Sequence, residues 1–173
     1  MSKKLAILLK EKFGFETEVN LDDVVTNLDG AKKNQVVFYK LIKGREGQFY
    51  TRLKAADPGL VISNLPINVE APFICAGDEF DQIQNLILDI LFPIESIPKI
   101  IGVTGTNGKT SVCHLGMQLA NQLGIKAISV GTVGVFGSFG VIPSEHKTTT
   151  PSKAEFRKII YNFLNYLSVR LFV

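Results

Sequence analysis

Apolar positions recur along the chain at two spacings, and each predicts a different kind of element. Leu5, Leu8, Leu9 and Phe13 return at helical intervals, with Gly14 as a stop, and predict a short first helix. Residues 36–39 and 60–63 are short runs rich in β-branched, aliphatic or aromatic side chains, the second entered through the turn residues Asp57, Pro58 and Gly59. They predict strands, and residues 72–76 predict a third. Phe80, Ile83, Leu86, Ile87, Ile90 and Leu91 then trace one face of a helix that Pro93 ends.

Periodicity disappears over residues 92–99, where Pro93 and Pro98 stiffen a connector. This predicts a boundary between a domain of residues 1–96 and a second of 97–173. In the second, residues 99–104 read as a strand. Val112, Leu115, Gly116, Leu119, Ala120 and Leu123 form one helical face closed by Gly124. Residues 127–130 read as the next strand. Strand, helix and strand in this order predict a βαβ unit, hence a parallel sheet with a right-handed crossover. Gly131, Gly134, Gly137 and Gly140 predict a loose loop or hairpin. Ser152 and Glu155 have capping-box spacing, and Phe156, Ile159, Ile160, Phe163, Leu164 and Leu167 supply the face of the helix that follows. Residues 168–173 begin another strand. The class is α/β: a small N-terminal α/β domain, then an incomplete parallel-sheet domain.

Composition narrows the function classes. Apolar residues make up 46% of 173, enough to bury a sizeable core. A formal charge of +3 is too weak to argue for nucleic acid. The densest basic stretch (Lys32, Lys33, Lys40, Lys43 and Arg45) is interrupted by Val36, Val37 and Phe38, and reads as the solvated rim of a strand. No apolar run approaches the ~20 residues of a membrane span. Cys75 and Cys113 are far apart, have no metal spacing and sit beside apolar residues. They are expected as buried free thiols in a reducing, cytoplasmic setting.

The chemistry concentrates at residues 100–111, Ile-Ile-Gly-Val-Thr-Gly-Thr-Asn-Gly-Lys-Thr-Ser. A strand runs into a glycine-rich loop (Gly102, Gly105, Gly108), and Lys109 and Thr110 open an amphipathic helix. Glycine lets backbone amides approach an anion, and the first helical turn has unpaired N–H groups and a partial positive charge. Together they make a phosphate nest, or P-loop. The candidate ATP-binding residues are Gly105, Thr106, Asn107, Gly108, Lys109, Thr110 and Ser111. Lys109 is the catalytic candidate, aimed at the β- and γ-phosphates, and the Thr110 hydroxyl is the candidate Mg²⁺ ligand. Val103 stands where the strict pattern has glycine, so the loop is a variant.

The run from Gly102 to Ser111 resembles the Mur ligase loop, a signature shared with folylpolyglutamate synthases. Gly131-Thr132-Val133-Gly134, Val141-Ile142-Pro143 and Thr148-Thr149-Thr150-Pro151 resemble the order of elements in the MurE branch of that family. The resemblance implies a P-loop central domain, and that Thr149 and Thr150 bind UDP-N-acetylmuramoyl-L-alanyl-D-glutamate. It implies ATP and Mg²⁺ as cofactors, and diaminopimelate or lysine as the amino acid joined in an amide bond of a peptidoglycan precursor. Residues 1–96 match the family's uridine-binding domain in size and order. The nearest counterpart of its Asp-Ser-Arg motif is Asn27-Leu28-Asp29, with Leu28 in place of serine. The family's metal-holding glutamate, carbamylated lysine and C-terminal domain would lie past Val173. A truncated chain that does not ligate alone is therefore expected, with self-association through an exposed sheet edge. The competing expectation is a non-catalytic nucleotide-binding or interaction module. Of the two histidines, His114 is expected to be structural and His146 a solvated loop residue.

Overall fold

The computed structural model describes residues 3–138, 140–142, 150–167 and 171–172. The chain divides into two compact units, Met1–Pro93 and Ile94–Val173. The division falls at the start of the proline-stiffened connector. Ile94 already packs into the second unit's core.

In the first unit, strands β1 (Asp23–Val25), β2 (Gln35–Tyr39), β3 (Leu60–Ser63) and β4 (Phe73–Cys75) form a parallel sheet in that order. Val36 pairs with Leu60 and Val61 with Phe73. Parallel strands are covered on both faces, which is why β2 and β3 read as continuous apolar runs. On one face Val37 and Val61 pack with Leu28, Leu41 and Phe49. On the other, the Phe38 ring meets Phe80 edge-on at 5.6 Å. Phe80 opens helix α3 (Phe80–Leu91), which packs against helix α1 (Lys3–Phe13). Leu5 and Leu9 are buried on α1, and Gly14 closes it with φ +62° and an N–H bond to Lys10 O at 2.9 Å. The Asn64 side chain brackets Leu41, accepting from its N–H at 2.7 Å and donating to its carbonyl at 3.3 Å. It ties together the exits of β2 and β3.

Two elements here have weak sequence signals. β1 is three residues long. Helix α2 (Glu46–Leu53) contains Gly47 and Thr51, poor helix formers, and its Arg45 cap makes no side-chain bond. Tertiary packing holds it: Phe49 is fully buried, with its ring 5.0 Å from Tyr39. The basic side chains Lys32, Lys33, Lys40, Lys43 and Arg45 are exposed, as a solvated rim requires. Cys75 is a correction. It is exposed, because the β4 alternation buries Ile74 and turns its neighbours outward.

In the second unit the strand order is β5-β9-β6-β7-β8. β5 (Lys99–Ile100), β9 (Leu171–Phe172) and β6 (Ala127–Gly131) run parallel. β7 (Gly134–Gly137) and β8 (Gly140–Ile142) continue the sheet as an antiparallel meander, so the glycine-punctuated segment is a hairpin. β5 is shorter than the 99–104 run predicted, and both its residues are exposed. Helix α5 (Lys153–Leu167) buries Ile159, Ile160 and Phe163 against Ile128 and Val135. Its capping box is formed: Ser152 N–H donates to Glu155 Oε2 at 2.7 Å, and Glu155 N–H to Ser152 Oγ at 3.3 Å. Ser152→Ala is expected to destabilise this unit by about 1 kcal/mol. Thermal unfolding should read that as a fall of roughly 4–8 °C for a unit of this size.

Helix α4 (Lys109–Gln122) corrects the predicted packing face. Ala120 is buried, but Val112, Leu115, Leu119 and Leu123 are 54–70% exposed. The buried side is Met117 and Ala120, against Ala127 with Phe136 alongside. Asn121 sets this rotation. Its amide donates to Ala127 O at 3.0 Å, and its carbonyl accepts from Ala127 N–H at 3.0 Å. That pair turns positions 117 and 121 toward β6 and the aliphatic stripe away.

Candidate phosphate-binding site

The loop between β5 and α4 has the geometry an anion nest needs. Gly108 is the N-cap of α4 with φ +78° and ψ −4°, the left-handed region, and no side chain caps the helix. Nothing lies within 4 Å of a Cβ built there, so the backbone angle alone requires glycine. Val112 is the first residue to close a helical bond, to Gly108 O at 2.9 Å. The amides of Lys109, Thr110 and Ser111 therefore have no acceptor within the helix. The first turn holds no acidic residue to neutralise its positive end.

Lys109 folds back over the loop. Its Nζ donates to Gly105 O at 2.5 Å and to Thr106 O at 3.3 Å. The ammonium is thus held above the turn that carries the free amides. Thr106, Asn107, Thr110 and Ser111 are exposed beside it.

The loop forms one wall of an open cavity of about 480 Å³. Gly102 to Gly105, Lys109 and Thr110 face the end of β6 and its turn, Ser129 to Gly134, with Thr150, Pro151 and Phe156 completing the lining. A space of this size is ordinary for a small-molecule site. Thr150 thus shares a cavity with the phosphate loop, 40 residues away in sequence. Thr149 and His146 lie outside the described residues. Ser129, Thr132 and Phe156 line the cavity without having been singled out as site residues. The Gly131-Thr132-Val133-Gly134 run was the one signal that could have found Thr132. Cys113 and His114 border the same space, and the His114 ring stands edge-on to Phe136 at 5.1 Å, in keeping with a packing role.

The lining offers one ammonium, several hydroxyls and no carboxylate among the described residues. No cluster of three or more acidic, histidine or cysteine side chains occurs among them either. A hydroxyl such as Thr110 fits Mg²⁺ bound mainly through phosphates and water, the usual manner for this ion. In the first unit, Leu28 is wholly buried, so it presents no side chain to a nucleotide. Asn27 Oδ1 is turned to the Asp29 amide at 3.1 Å. No described helix is long and apolar enough to cross a membrane.

Comparison with known proteins agrees with this geometry. Residues 103–169 match the Mur ligase middle domain. The chain is 44% identical over 136 residues to the UDP-N-acetylmuramoyl-L-alanyl-D-glutamate--2,6-diaminopimelate ligase of Rickettsia rickettsii, covering 75% of this chain and 28% of that protein. It is 44% identical over 151 residues to the corresponding ligase of Rickettsia felis, covering 83% and 28%. A solved structure of a ligase of the same name superposes with a TM-score of 0.60 at 18% identity, over 95% of this chain and 34% of that one, which speaks to the fold alone. The chain thus spans about 28% of the length of the relatives it matches. With a left-handed glycine capping a helix, a lysine over the turn and this likeness across most of its length, the chain belongs to the Mur ligase family.

Proposed function

We propose that residues 102–111 bind the phosphates of ATP, in the part of a Mur ligase that activates a carboxylate for amide formation. The observation that carries this reading is the uncapped, acid-free N-terminus of α4 opening on a cavity, with Lys109 held over it. Free amides, a helix dipole and an ammonium converge where a polyphosphate would sit.

In the reaction that the Mur ligase resemblance implies, a carboxylate oxygen of UDP-N-acetylmuramoyl-L-alanyl-D-glutamate, the acceptor in the relatives' printed name, would attack the γ-phosphorus of ATP. ADP leaves and an acyl phosphate forms. The amine of diaminopimelate, or of lysine, then attacks the acyl carbon and phosphate departs. Lys109 and the amides of Gly105 to Ser111 orient the phosphates and offset their charge. Thr110 would hold Mg²⁺, which screens the phosphate charge when bound. Thr150, on the cavity wall, with Thr149 before it, would position the peptide end of the acceptor. Such a protein works in the cytoplasm on a cell-wall precursor, without contact with nucleic acid or membrane.

The 173 residues alone are proposed to bind nucleotide without ligating. The described cavity is open to solvent, which weakens each charge interaction. Isothermal titration with MgATP and with the UDP-muramoyl dipeptide tests this. Saturable ATP binding is expected, with the dipeptide weaker because Leu28 replaces a polar contact. Dipeptide binding without any ATP binding would reverse the assignment. Amide formation coupled to ADP release by the pure chain would overturn the claim that it does not ligate.

A further inference from the structure

Four polar side chains are buried among the described residues: Gln35, Ser63, Gln84 and Ser129. Gln35 donates to Asp23 Oδ2 at 2.9 Å, and Ser63 donates to the Leu65 carbonyl. Ser129 is 5% exposed, and its hydroxyl has no hydrogen-bond partner among the described residues. Of the four, it alone lines the cavity that the phosphate loop walls. A hydroxyl buried without a partner destabilises a fold, so a buried strand position ordinarily holds an apolar residue. The preceding residues of β6, Ala127 and Ile128, follow that rule.

Strand alternation fixes the face on which the hydroxyl stands. Ala127 packs with Met117 and Ala120 of α4, whereas Ile128 packs with the α5 residues Ile159, Ile160 and Phe163. Successive side chains take opposite faces, so Ser129 shares the α4 face with Ala127. Helix α4 carries the chain from the end of β5 back to the start of β6, and both strands run parallel to β9. A step along β6 from Ala127 to Ser129 therefore moves toward the N-terminus of α4, where the amides of 109–111 are free. The register agrees: Ser129 pairs with Phe136, whose ring meets His114 in the second turn of the helix. The described lining carries the Lys109 ammonium and no carboxylate, so the cavity attracts an anion. A hydroxyl can meet the oxygens of an anion as a donor.

We infer that Ser129 is a ligand-binding residue whose Oγ–H donates to an oxyanion in the cavity, either the terminal phosphoryl of ATP or the carboxylate of the acceptor. The inference rests on the proposed reading of the cavity as a ligase site. It accounts for a polar residue at a position where it weakens the free protein: the bound oxyanion supplies the missing acceptor, and the cost of burying the hydroxyl is recovered on binding instead of on folding.

Isothermal titration of the unsubstituted chain and of Ser129→Ala tests this with three ligands. They are MgATP, MgADP and, in the presence of magnesium β,γ-imido-ATP, UDP-N-acetylmuramoyl-L-alanyl-D-glutamate. With the terminal phosphoryl as partner, MgATP affinity falls about tenfold and MgADP affinity less than about twofold. With the carboxylate as partner, the muramoyl dipeptide weakens about tenfold and both nucleotides hold. Either split bears the inference out. The melting temperature of free Ser129→Ala should stay level or rise slightly, because no bond is lost. A fall of more than about 4 °C would show the hydroxyl held within the protein and overturn the inference. Unchanged affinity for all three ligands would overturn it too, as would equal weakening of MgATP and MgADP. Lys109→Ala, titrated in parallel, separates the two levels. Weaker MgATP binding there with no loss in Ser129→Ala sinks the role of Ser129 and leaves the nucleotide reading standing. Failure of the unsubstituted chain to bind any of the three ligands removes both.

Discussion

Replacing Lys109 with alanine is expected to lower ATP affinity by about tenfold or more, equivalent to roughly 1.4 kcal/mol. The ammonium is the only full positive charge on the described wall of the cavity, and charge-assisted bonds to phosphate are about twice as strong as neutral ones. Its two carbonyl partners, Gly105 O and Thr106 O, also hold the turn, so the variant would lose both the proposed phosphate contact and part of the loop's preorganisation. Lys109→Arg should recover little, because a planar fork does not replace a compact ammonium in a tight turn. Competition with a fluorescent ATP analogue gives both numbers. Thermal unfolding should stay close to that of the unsubstituted chain, since both bonds are solvent-exposed. Equal affinity in the alanine variant would count against the lysine's assigned place.

The largest stability effect is expected at Gly59, just before β3. A Cβ there would lie 2.0 Å from the Lys33 carbonyl oxygen and 2.6 Å from Leu21 Cδ2. Leu21 is fully buried and could yield only by disturbing the core, while the carbonyl belongs to the backbone that leads into β2. The Gly59 amide also bonds Gln35 O at 3.2 Å. Gly59→Ala must push β2 and β3 apart at their entry, where the sheet has no slack. Overpacking of this kind costs about 3 kcal/mol, which in a unit of roughly 90 residues lowers the melting temperature by more than about 10 °C. Differential scanning calorimetry should show the loss in the Met1–Pro93 unit. Gly47→Ala is the control, because a Cβ at Gly47 meets nothing within 4 Å. It should be neutral or slightly stabilising.

The contrast between the two glycines shows where sequence reasoning succeeds and where it stops. Helices α1, α3 and α5 were legible because each has a long apolar stripe and a stop or cap: Gly14, Pro93, and the Ser152–Glu155 pair. β2 and β3 were legible as buried runs. α2 was not, because Phe49 anchors it through packing with Tyr39, Val37 and Val61 that no local pattern encodes. The face of α4 was misread for a related reason. Periodicity identifies which side of a helix is apolar, but Asn121, a polar residue outside that pattern, decides which side meets β6. Cys75 was misplaced because a three-residue strand gives too little alternation to assign a face.

The phosphate loop was the most legible part of the site, since left-handed Gly108 and the lysine after it are fixed by local backbone chemistry. Its opposite wall was not. Thr150 was legible only through a family likeness, while Ser129 and Phe156 come to the cavity only because β6 and α5 are brought there by the fold.

Amide-resolved NMR of the ¹⁵N-labelled chain during titration with MgATP bears most directly on the phosphate nest. The N–H signals of Gly105 through Ser111 should move together and saturate with one dissociation constant, and inorganic triphosphate should reproduce most of the shifts. Binding that moves amides elsewhere and leaves those of 105–111 in place would contradict it.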